Sequence, residues 1–243
     1  MQCVILAGGL GTRLYPATRT IPKCLVEVAG RPFAHWQLEW LASQGVNRVV
    51  YSIGHLGELI RAEIGDGTSW GVAVTYVDEG AEPVGTGGAL RIAVERGAAD
   101  DEFFVLYGDS YLSIDLGAVA ADFRRRRPDA LMTVYRNQGR FETSNAVFAD
   151  GMVTHYEKGL ADPPPEMRFV DYGLSVLHGA AVLETVAPGA PSDVADAFTT
   201  LSSAGRLAGF EASERFFEIG SPSGLADLER HLASSANEAH HRK

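Results

Sequence analysis

Near its start the chain reads QCVILAGGLGTRL (residues 2–14). The apolar run from Gln2 to Leu6 is typical of a short buried strand. The glycines that follow let the backbone turn sharply and approach another molecule closely. Backbone N–H groups in such a turn form a concave site for anions. The stretch therefore predicts a strand that ends in an anion-binding loop at one edge of a sheet.

Strand and helix patterns alternate through the rest of the first half. Strands are predicted at 2–6, 48–53, 72–77 and 103–107, and helices at 33–44, 56–64 and 86–96. Strands that alternate with helices favour right-handed crossovers and a parallel sheet covered on both faces. The predicted fold class is therefore α/β, with a Rossmann-like, mainly parallel sheet and helices on both faces.

The second half of the chain has more strand character. Strands are predicted at 131–136, 145–149, 152–156 and 172–177, and helices at 192–204 and 223–232. Asp150-Gly151, between two of these strands, is a strong hairpin signal. We interpret residues 1–233 as one domain that carries an inserted β-rich lobe at about 130–180, and residues 234–243 as a flexible tail.

Composition limits the classes of function. The net charge of −10 argues against nucleic-acid binding, which needs a basic face. No stretch approaches the roughly 20 apolar residues that cross a bilayer, and no signal peptide is evident. Cys3 and Cys24 form no metal-binding pattern, which favours a reducing compartment. We therefore expect a cytoplasmic protein without nucleic-acid or membrane partners; its oligomeric state stays open, a homo-oligomer included.

The spacing of the glycine loop excludes two common nucleotide-binding motifs. It does not fit the Walker pattern G-x-x-x-x-G-K-[ST]. It also fails the dinucleotide pattern G-x-G-x-x-G, because Leu14 stands where the third glycine belongs after Gly9 and Gly11. Arg13 and Lys23 flank the loop, and both side chains suit phosphate oxygens. These two cations have a role if a polyphosphate binds in the loop.

A series of motifs resembles the sugar-1-phosphate nucleotidyltransferases, also called NDP-sugar pyrophosphorylases. The series is GGLGTRL (8–14), PK (22–23), GTGGA (85–89), GD (108–109), EK (157–158) and EIGSP (218–222). It covers nearly the whole chain, and the short length and the GTGGA form most resemble heptose-1-phosphate guanylyltransferases. The resemblance implies a nucleotide-diphospho-sugar transferase fold. It also implies transfer of a nucleoside monophosphate from an NTP to a sugar 1-phosphate, which gives an NDP-sugar and pyrophosphate.

The resemblance further implies roles for individual residues. The expected catalytic residues are Arg13, Lys23 and Asp109. The nucleotide is expected to bind Leu6, Ala7, Gly8, Gly9, Gly11, Thr12, Glu79 and Gly85. The sugar phosphate is expected to bind Gly88, Asn145, Glu157, Lys158, Tyr172 and Gly173, with Asp171 beside them in the same lobe.

Two carboxylates are candidate Mg²⁺ ligands. Asp109 follows a buried strand at the edge where open α/β sheets bind ligands, and Mg²⁺ prefers oxygen ligands. In the resembled family this aspartate is a metal ligand, and a second one lies two residues before a glycine. Here that position holds Glu218, before Gly220. The additional methylene leaves open whether Glu218 binds Mg²⁺ directly or through a water.

Glu79 is the candidate residue for reading the nucleotide base, with Glu82 as the alternative. A carboxylate accepts two hydrogen bonds from the N1–H and 2-amino groups of guanine, an edge that uracil and thymine lack. This chemistry weakly favours GTP. The sequence does not fix the sugar.

Two other classes of function stay open. A cytidylyltransferase for phosphocholine or another non-sugar phosphate is compatible with Pro22-Lys23-Cys24, although GTGGA at 85–89 argues against it. A non-catalytic nucleotide-sensing module of the same fold is compatible with glutamate at 218. A Rossmann dehydrogenase is weaker than both, because the third glycine is missing.

Overall fold

A computed structural model gives the fold and describes residues 1–80, 82–137 and 141–241. The strands are β1 (Gln2–Leu6), β2 (Glu27–Val28), β3 (Arg31–Pro32), β4 (Arg48–Ile53), β5 (Ala73–Asp78), β6 (Glu102–Tyr107), β7 (Ser110–Tyr111), β8 (Ala130–Arg136), β9 (Ala146–Ala149), β10 (Met152–Tyr156), β11 (Phe169–His178), β12 (Leu207–Ala212) and β13 (Phe217–Glu218). The helices are α1 (Phe33–Ser43), α2 (Gly57–Ile64), α3 (Gly85–Glu95), α4 (Leu116–Arg126), α5 (Gly179–Thr185), α6 (Val194–Ser203) and α7 (Pro222–His241).

One nine-stranded sheet organises these elements in the order β5-β4-β1-β6-β11-β8-β12-β10-β9. The four strands β5, β4, β1 and β6 are parallel. Beyond them β11 runs antiparallel to β6 and β8, β12 is parallel to β8, and β10 is antiparallel to β12. The prediction of a mainly parallel sheet therefore holds for residues 2–107 only, and the remaining part of the sheet is mixed.

The β-rich segment expected at about 130–180 is present, but its strands extend the same sheet. β11 lies between β6 and β8 and pairs with both. Eight of its ten residues are buried, and its apolar side chains belong to the core clusters on the two faces of the sheet. This segment is therefore continuous with the parallel half, and its strands form one wall of the cleft described below.

Helices cover both faces of the sheet, as predicted. Successive residues of a strand point to opposite sides, so Cys3 and Ile5 pack with α1, α2 and α4. Val4 and Leu6 pack on the other side with α3, α5 and α6. A strand buried on both faces reads as a continuous apolar run, which explains the sequence of residues 2–6.

A third, smaller apolar cluster joins α7 to the loop after β1. It includes Leu14, Phe33, Ile219 and Leu228. β13 precedes α7 and pairs antiparallel with β7, so that Glu218 lies opposite Ser110. Because Ser110 directly follows Asp109, this pairing brings the C-terminal part of the chain to the end of β6.

Several elements differ from their predictions. α5 and β12 were not predicted. β12 has the sequence LAGFEA, whose small residues have a low intrinsic strand preference. Gly209 within it is required by packing, because a Cβ there would lie 2.5 Å from the Phe148 ring. α7 continues past the predicted end at Leu232 to His241, since residues 233–241 contain no glycine or proline to stop a helix.

Three predicted strands and the predicted hairpin agree with the structure. β1, β4 and β10 coincide with the predicted strands, and Asp150 and Gly151 turn the hairpin with φ of 51° and 78°. Both cysteines are free and buried. Within the described ranges, none of the helices combines the length and apolar character needed to cross a bilayer. The flexibility of residues 234–243 stays a prediction.

Candidate active site

A cleft of about 530 Å³ opens where β1 and β6 end. Its loop side is formed by Arg13, Asp109 and Glu218, and its strand side contains Asn145, Lys158, Asp171 and Gly173. The other lining residues are Thr86, Tyr107, Glu142, Thr143, Tyr156, Gly159, Leu160, Val170 and Phe216. Residues that are far apart in the sequence, and that were singled out by separate motifs, therefore share one cavity.

The glycine loop owes its shape to Gly11. This residue has φ of 62°, a left-handed conformation that favours glycine. Its carbonyl accepts hydrogen bonds from the Thr18 hydroxyl at 2.7 Å and from the Leu14 N–H at 3.0 Å. The loop then leaves Gly9, Thr12 and Arg13 exposed. The predicted phosphate-binding groups are thus accessible, and Arg13 reaches the cleft.

Glu79 lies directly against the start of this loop. A Cβ at Gly8 would stand 2.6 Å from Glu79 Cδ, and a Cβ at Gly54 would stand 3.2 Å from Gly8 O. The ends of β1, β4 and β5 are joined here by hydrogen bonds from Ala7 N to Ser52 O and from Glu79 N to Ile53 O. Burial raises the pKa of Glu79. Leu6 lies beneath, buried in the core, and its carbonyl accepts from Gly108 N; Glu82 is exposed.

Three charged side chains converge on Gly220. A Cβ at Gly220 would lie 3.2 Å from Lys23 Nζ and 3.9 Å from both Asp109 Oδ2 and Glu218 Oε2. Lys23 forms an ion pair with Asp109. Burial, followed by the negative charges of Asp109 and Glu142, raises the pKa of Glu218. The structure thus brings together Lys23, Asp109 and Glu218 at one point next to Arg13.

Gln37 is a residue of this site that the sequence interpretation missed. It is fully buried on α1, and its Nε2 donates to Tyr107 O at 2.8 Å and to Ser110 O at 2.9 Å. These two carbonyls flank Gly108-Asp109, so Gln37 fixes the turn that presents the Asp109 carboxylate. The sequence did contain one indication of this role: Gln37 is a polar residue on the buried face of a helix whose other buried residues are apolar, namely Phe33, Ala34, Leu38 and Leu41.

The strand side of the cleft is held together by backbone and amide contacts. Asn145 Oδ1 accepts from Asp171 N at 2.9 Å, and Asn145 O accepts from Glu157 N at 2.9 Å. Asp171 Oδ1 accepts from Gly173 N at 2.9 Å. Burial raises the pKa of Asp171 to about 6. Gly173 has φ of 96°, and a Cβ there would lie 3.0 Å from Ser110 Oγ. This glycine therefore lets the strand side approach the loop side.

Three residues expected to bind a sugar phosphate do not line the cleft. Tyr172 is fully buried beside Phe216, and its hydroxyl donates to Ser113 O at 3.3 Å. It points away because it neighbours Asp171 in β11, where successive side chains alternate between faces. Glu157 is half-exposed and pairs with His155 at 3.4 Å. Gly88 is buried in α3, where a Cβ would lie 3.0 Å from Val84 Cβ.

The glycines at 85 and 87 have a packing role that the motif alone did not indicate. Gly85 has φ of 73°, and a Cβ there would overlap Ser192 O. A Cβ at Gly87 would lie 2.8 Å from Ser192 Oγ, and the Gly87 N–H donates to Ser192 O at 2.9 Å. The start of α3 therefore packs closely on the loop before α6, and Thr86 between the two glycines lines the cleft.

Comparison with known proteins agrees with this arrangement. The family model described as nucleotidyl transferase matches residues 2–148, from β1 into β9. The chain belongs to the nucleotidyl transferase family. This match confirms the resemblance identified from the glycine loop and the motifs that follow it.

Individual relatives of this nucleotidyl transferase family member differ in their named substrates. It is 31% identical over 212 residues to a glucose-1-phosphate thymidylyltransferase of Streptomyces griseus, a match that covers 85% of this chain and 58% of the relative. It is 36% identical over 116 residues to a D-glycero-alpha-D-manno-heptose 1-phosphate guanylyltransferase of Campylobacter jejuni, covering 48% and 51% of the two chains. The chain thus spans between half and three fifths of the length of these relatives.

A solved structure confirms the fold. HddC from Yersinia pseudotuberculosis, complexed with GMP-PN, superimposes on this chain with a TM-score of 0.76 at 25% sequence identity. The superposition covers 95% of this chain and 99% of HddC. The mixed α/β architecture described above is therefore shared along nearly the whole length of both proteins.

Proposed function

We propose that the protein transfers a nucleoside monophosphate from an NTP to a sugar 1-phosphate, giving an NDP-sugar and pyrophosphate. The observation that carries this proposal is the convergence of Lys23, Asp109 and Glu218 beside Arg13, at the edge of a cleft whose strand side offers Lys158 and hydrogen-bonding groups. The named activities of the relatives support the same reaction class.

The reaction requires little covalent chemistry from the protein. An oxygen of the sugar phosphate attacks the α-phosphorus of the NTP in line, and pyrophosphate leaves on the opposite side. Catalysis is then positioning and stabilisation of charge. We assign Arg13 to the leaving pyrophosphate and Lys23 to the phosphates around the α-phosphorus. Lys158, on the strand side, binds the phosphate of the acceptor.

We propose Mg²⁺ as the cofactor, held by Asp109 and Glu218. Both side chains offer oxygen ligands, and both point to the space beside Gly220. The described residues contain no group of three or more His, Cys, Asp or Glu side chains suited to a metal. Two carboxylates supplemented by substrate phosphates are a common Mg²⁺ environment. When bound, the ion offsets negative charge on the phosphates.

We propose GTP as the preferred nucleotide, with Glu79 reading the base. Its carboxylate lies against Gly8 at the start of the loop that receives the nucleotide, and this position supports contact with a base edge. The relatives include both thymidylyl and guanylyl transferases, so the contact with Glu79 is the distinguishing argument. Competition among GTP, UTP and dTTP tests it, and faster turnover with UTP or dTTP would refute it.

A pyrophosphate-release screen tests the reaction itself. GTP, ATP, UTP, dTTP and CTP are each combined with hexose 1-phosphates, heptose 1-phosphates and phosphocholine, with Mg²⁺ and with the ion chelated. We expect release only with an NTP, a sugar 1-phosphate and Mg²⁺ together, and loss of release in Asp109→Ala. Release with CTP and phosphocholine alone would indicate a cytidylyltransferase. Nucleotide binding without release under any condition would indicate a sensing module.

A further inference from the structure

Asp193 does not line the cleft, but it contacts two residues that do, Thr86 and Lys158. Its Oδ1 accepts a hydrogen bond from the Thr86 hydroxyl at 2.8 Å, and its Oδ2 accepts from Lys158 Nζ at 2.9 Å. Thr86 belongs to the motif at the start of α3, and Lys158 follows β10. One carboxylate therefore connects the two segments that we assign to the nucleotide and to the acceptor phosphate.

The position of this carboxylate is fixed by α6. Asp193 is the N-cap of that helix: it accepts from Ala195 N at 3.0 Å, and its own N–H donates to Asp196 Oδ2 at 3.3 Å. Val194 N in addition donates to the Thr86 hydroxyl at 2.9 Å. An N-cap needs only a side-chain oxygen, and asparagine or serine serves equally well. Capping therefore does not require the negative charge of Asp193. That charge is instead paired with the Lys158 ammonium group.

The electrostatics of the cleft make Lys158 important for an incoming anion. Among the cleft-lining residues that the structure describes, Arg13 and Lys158 are the cations, and they stand against four carboxylates: Asp109, Glu142, Asp171 and Glu218. The Lys158 side chain is 54% exposed. A half-exposed lysine on a flexible stem loses considerable side-chain entropy when a ligand fixes it.

We infer that Asp193 is a positioning residue, which holds the Lys158 ammonium in place for the acceptor phosphate and ties it to Thr86. An ammonium group has three donors, so one hydrogen bond to Asp193 leaves two for phosphate oxygens. Lys158 then loses part of its side-chain entropy before the ligand binds, so that binding itself requires a smaller loss. This inference rests on the proposed function, because it takes Lys158 as the ligand of the acceptor phosphate.

The test is Asp193→Asn, with Asp196→Asn as the matched control. Both substitutions remove one negative charge from the same helix end, and asparagine keeps the N-cap. We expect Asp193→Asn to raise the KM for the sugar 1-phosphate about three- to fivefold, the size expected of one partly exposed ion pair. The KM for the NTP, kcat and Tm should stay near wild-type values, and Asp196→Asn should change none of them. A lower KM for the sugar phosphate would overturn the inference, because Asp193 would then compete with the ligand. Equal rises in both KM values would overturn it as well.

A double-mutant cycle with Lys158→Met separates positioning from a general electrostatic effect. If Asp193 acts through Lys158, Asp193→Asn should have no further effect on the sugar-phosphate KM in the Lys158→Met background. An additive effect would show that Asp193 acts by another route and would refute the inference.

Failure of the proposed function can be recognised separately. If the wild type releases no pyrophosphate with any substrate pair, the reaction is wrong whatever the variants do. Calorimetric titration of the wild type and Asp193→Asn with glucose 1-phosphate then decides the inference by binding alone. Weaker binding by Asp193→Asn supports the positioning role, and equal or absent binding refutes it.

Discussion

The two sides of the cleft are built on different principles. The loop side takes Arg13 and Asp109 from short motifs that follow strands of the parallel half, with Lys23 paired to Asp109 just outside the lining of the cleft. Glu218 comes from one late strand paired beside them. On the strand side, Lys158 depends on Asp193, which is 35 residues away, and Asn145 depends on backbone groups of β11. The loop-side residues can therefore be recognised from local motifs, although the fold must bring Lys23 and Asp109 together across 86 residues. The contacts that hold the strand side belong to no sequence motif.

The largest effects should come from the loop side. Arg13→Ala and Asp109→Ala should each lower turnover by on the order of 10²-fold or more, because each removes a preorganised charge from the phosphates. Pyrophosphate-release kinetics measure this loss. Arg19→Ala, an exposed arginine near the same loop, is the control and should retain turnover within about twofold. Turnover near the wild-type rate in either variant would contradict the proposed reaction.

Gln37 tests whether the position of Asp109 depends on the buried hydrogen bonds that Gln37 donates to the turn around it. Gln37→Leu removes the donor to the Tyr107 and Ser110 carbonyls, which flank Asp109. It should lower kcat by about 10- to 100-fold, the size of loss seen when residues that hydrogen-bond to metal ligands are replaced. The free energy of unfolding should also fall, by about 1–3 kcal/mol. Kinetics at saturating substrate and urea unfolding measure the two effects. A stability loss with unchanged kcat would make Gln37 purely structural.

Glu79 contacts the glycine loop at Gly8 and lies outside the lining of the cleft, so it tests whether base selection depends on this loop. Glu79→Gln should lower kcat/KM for GTP about tenfold, since an amide offers one acceptor where a carboxylate offers two. For UTP the change should be less than about twofold if uracil makes no such paired contact. Equal losses for both nucleotides would assign Glu79 to the loop structure rather than to the base.

A clear effect on stability is expected for Asp171 on the strand side. Its pKa is raised to about 6 by burial, so the folded state holds this proton more tightly than the unfolded state does. Its contribution to stability is therefore complete below pH ~4 and is lost as pH rises through about 6. Relative to Asp171→Asn, the wild type should lose up to about 3 kcal/mol over that window. Urea unfolding at pH 4, 5, 6 and 7 measures it; a constant difference between the two proteins would contradict it.

The same contrast explains what could be predicted from the sequence. The loop side could be predicted because Gly11, Arg13 and Asp109 stand at fixed short distances from strand ends, where backbone geometry determines their place. Tyr172 was predicted to line the cleft, but side chains alternate between the two faces of a strand. Because Asp171 faces the cleft, the neighbouring Tyr172 faces the core. Asp193 and Gln37 could not be assigned, because their roles follow from contacts across 35 and 70 residues of sequence, respectively.

The sheet was predicted as mainly parallel because the sequence shows only local patterns and not the pairing of distant strands. Alternation of strands and helices in the first half is a local pattern, and it determined β5, β4, β1 and β6 correctly. The antiparallel insertion of β11 between β6 and β8 brings together strands that are distant in sequence, and periodicity carries no information on such pairing. β12 was missed because its small residues have a low strand preference, and Gly209 among them is required by contact with Phe148.

β11 also limits how the cleft can change over evolutionary time. It presents Asp171 to the cleft and the adjacent Tyr172 to the core, and its register with β8 shifts between Asp171 and Ser175. A shift by one residue exchanges the two faces of a strand. An insertion or deletion that shifts this part of the strand by one residue would therefore turn a carboxylate into the apolar core and a tyrosine ring into the cleft. Substitution at position 171, in contrast, changes the lining of the cleft and leaves both faces of the strand in place.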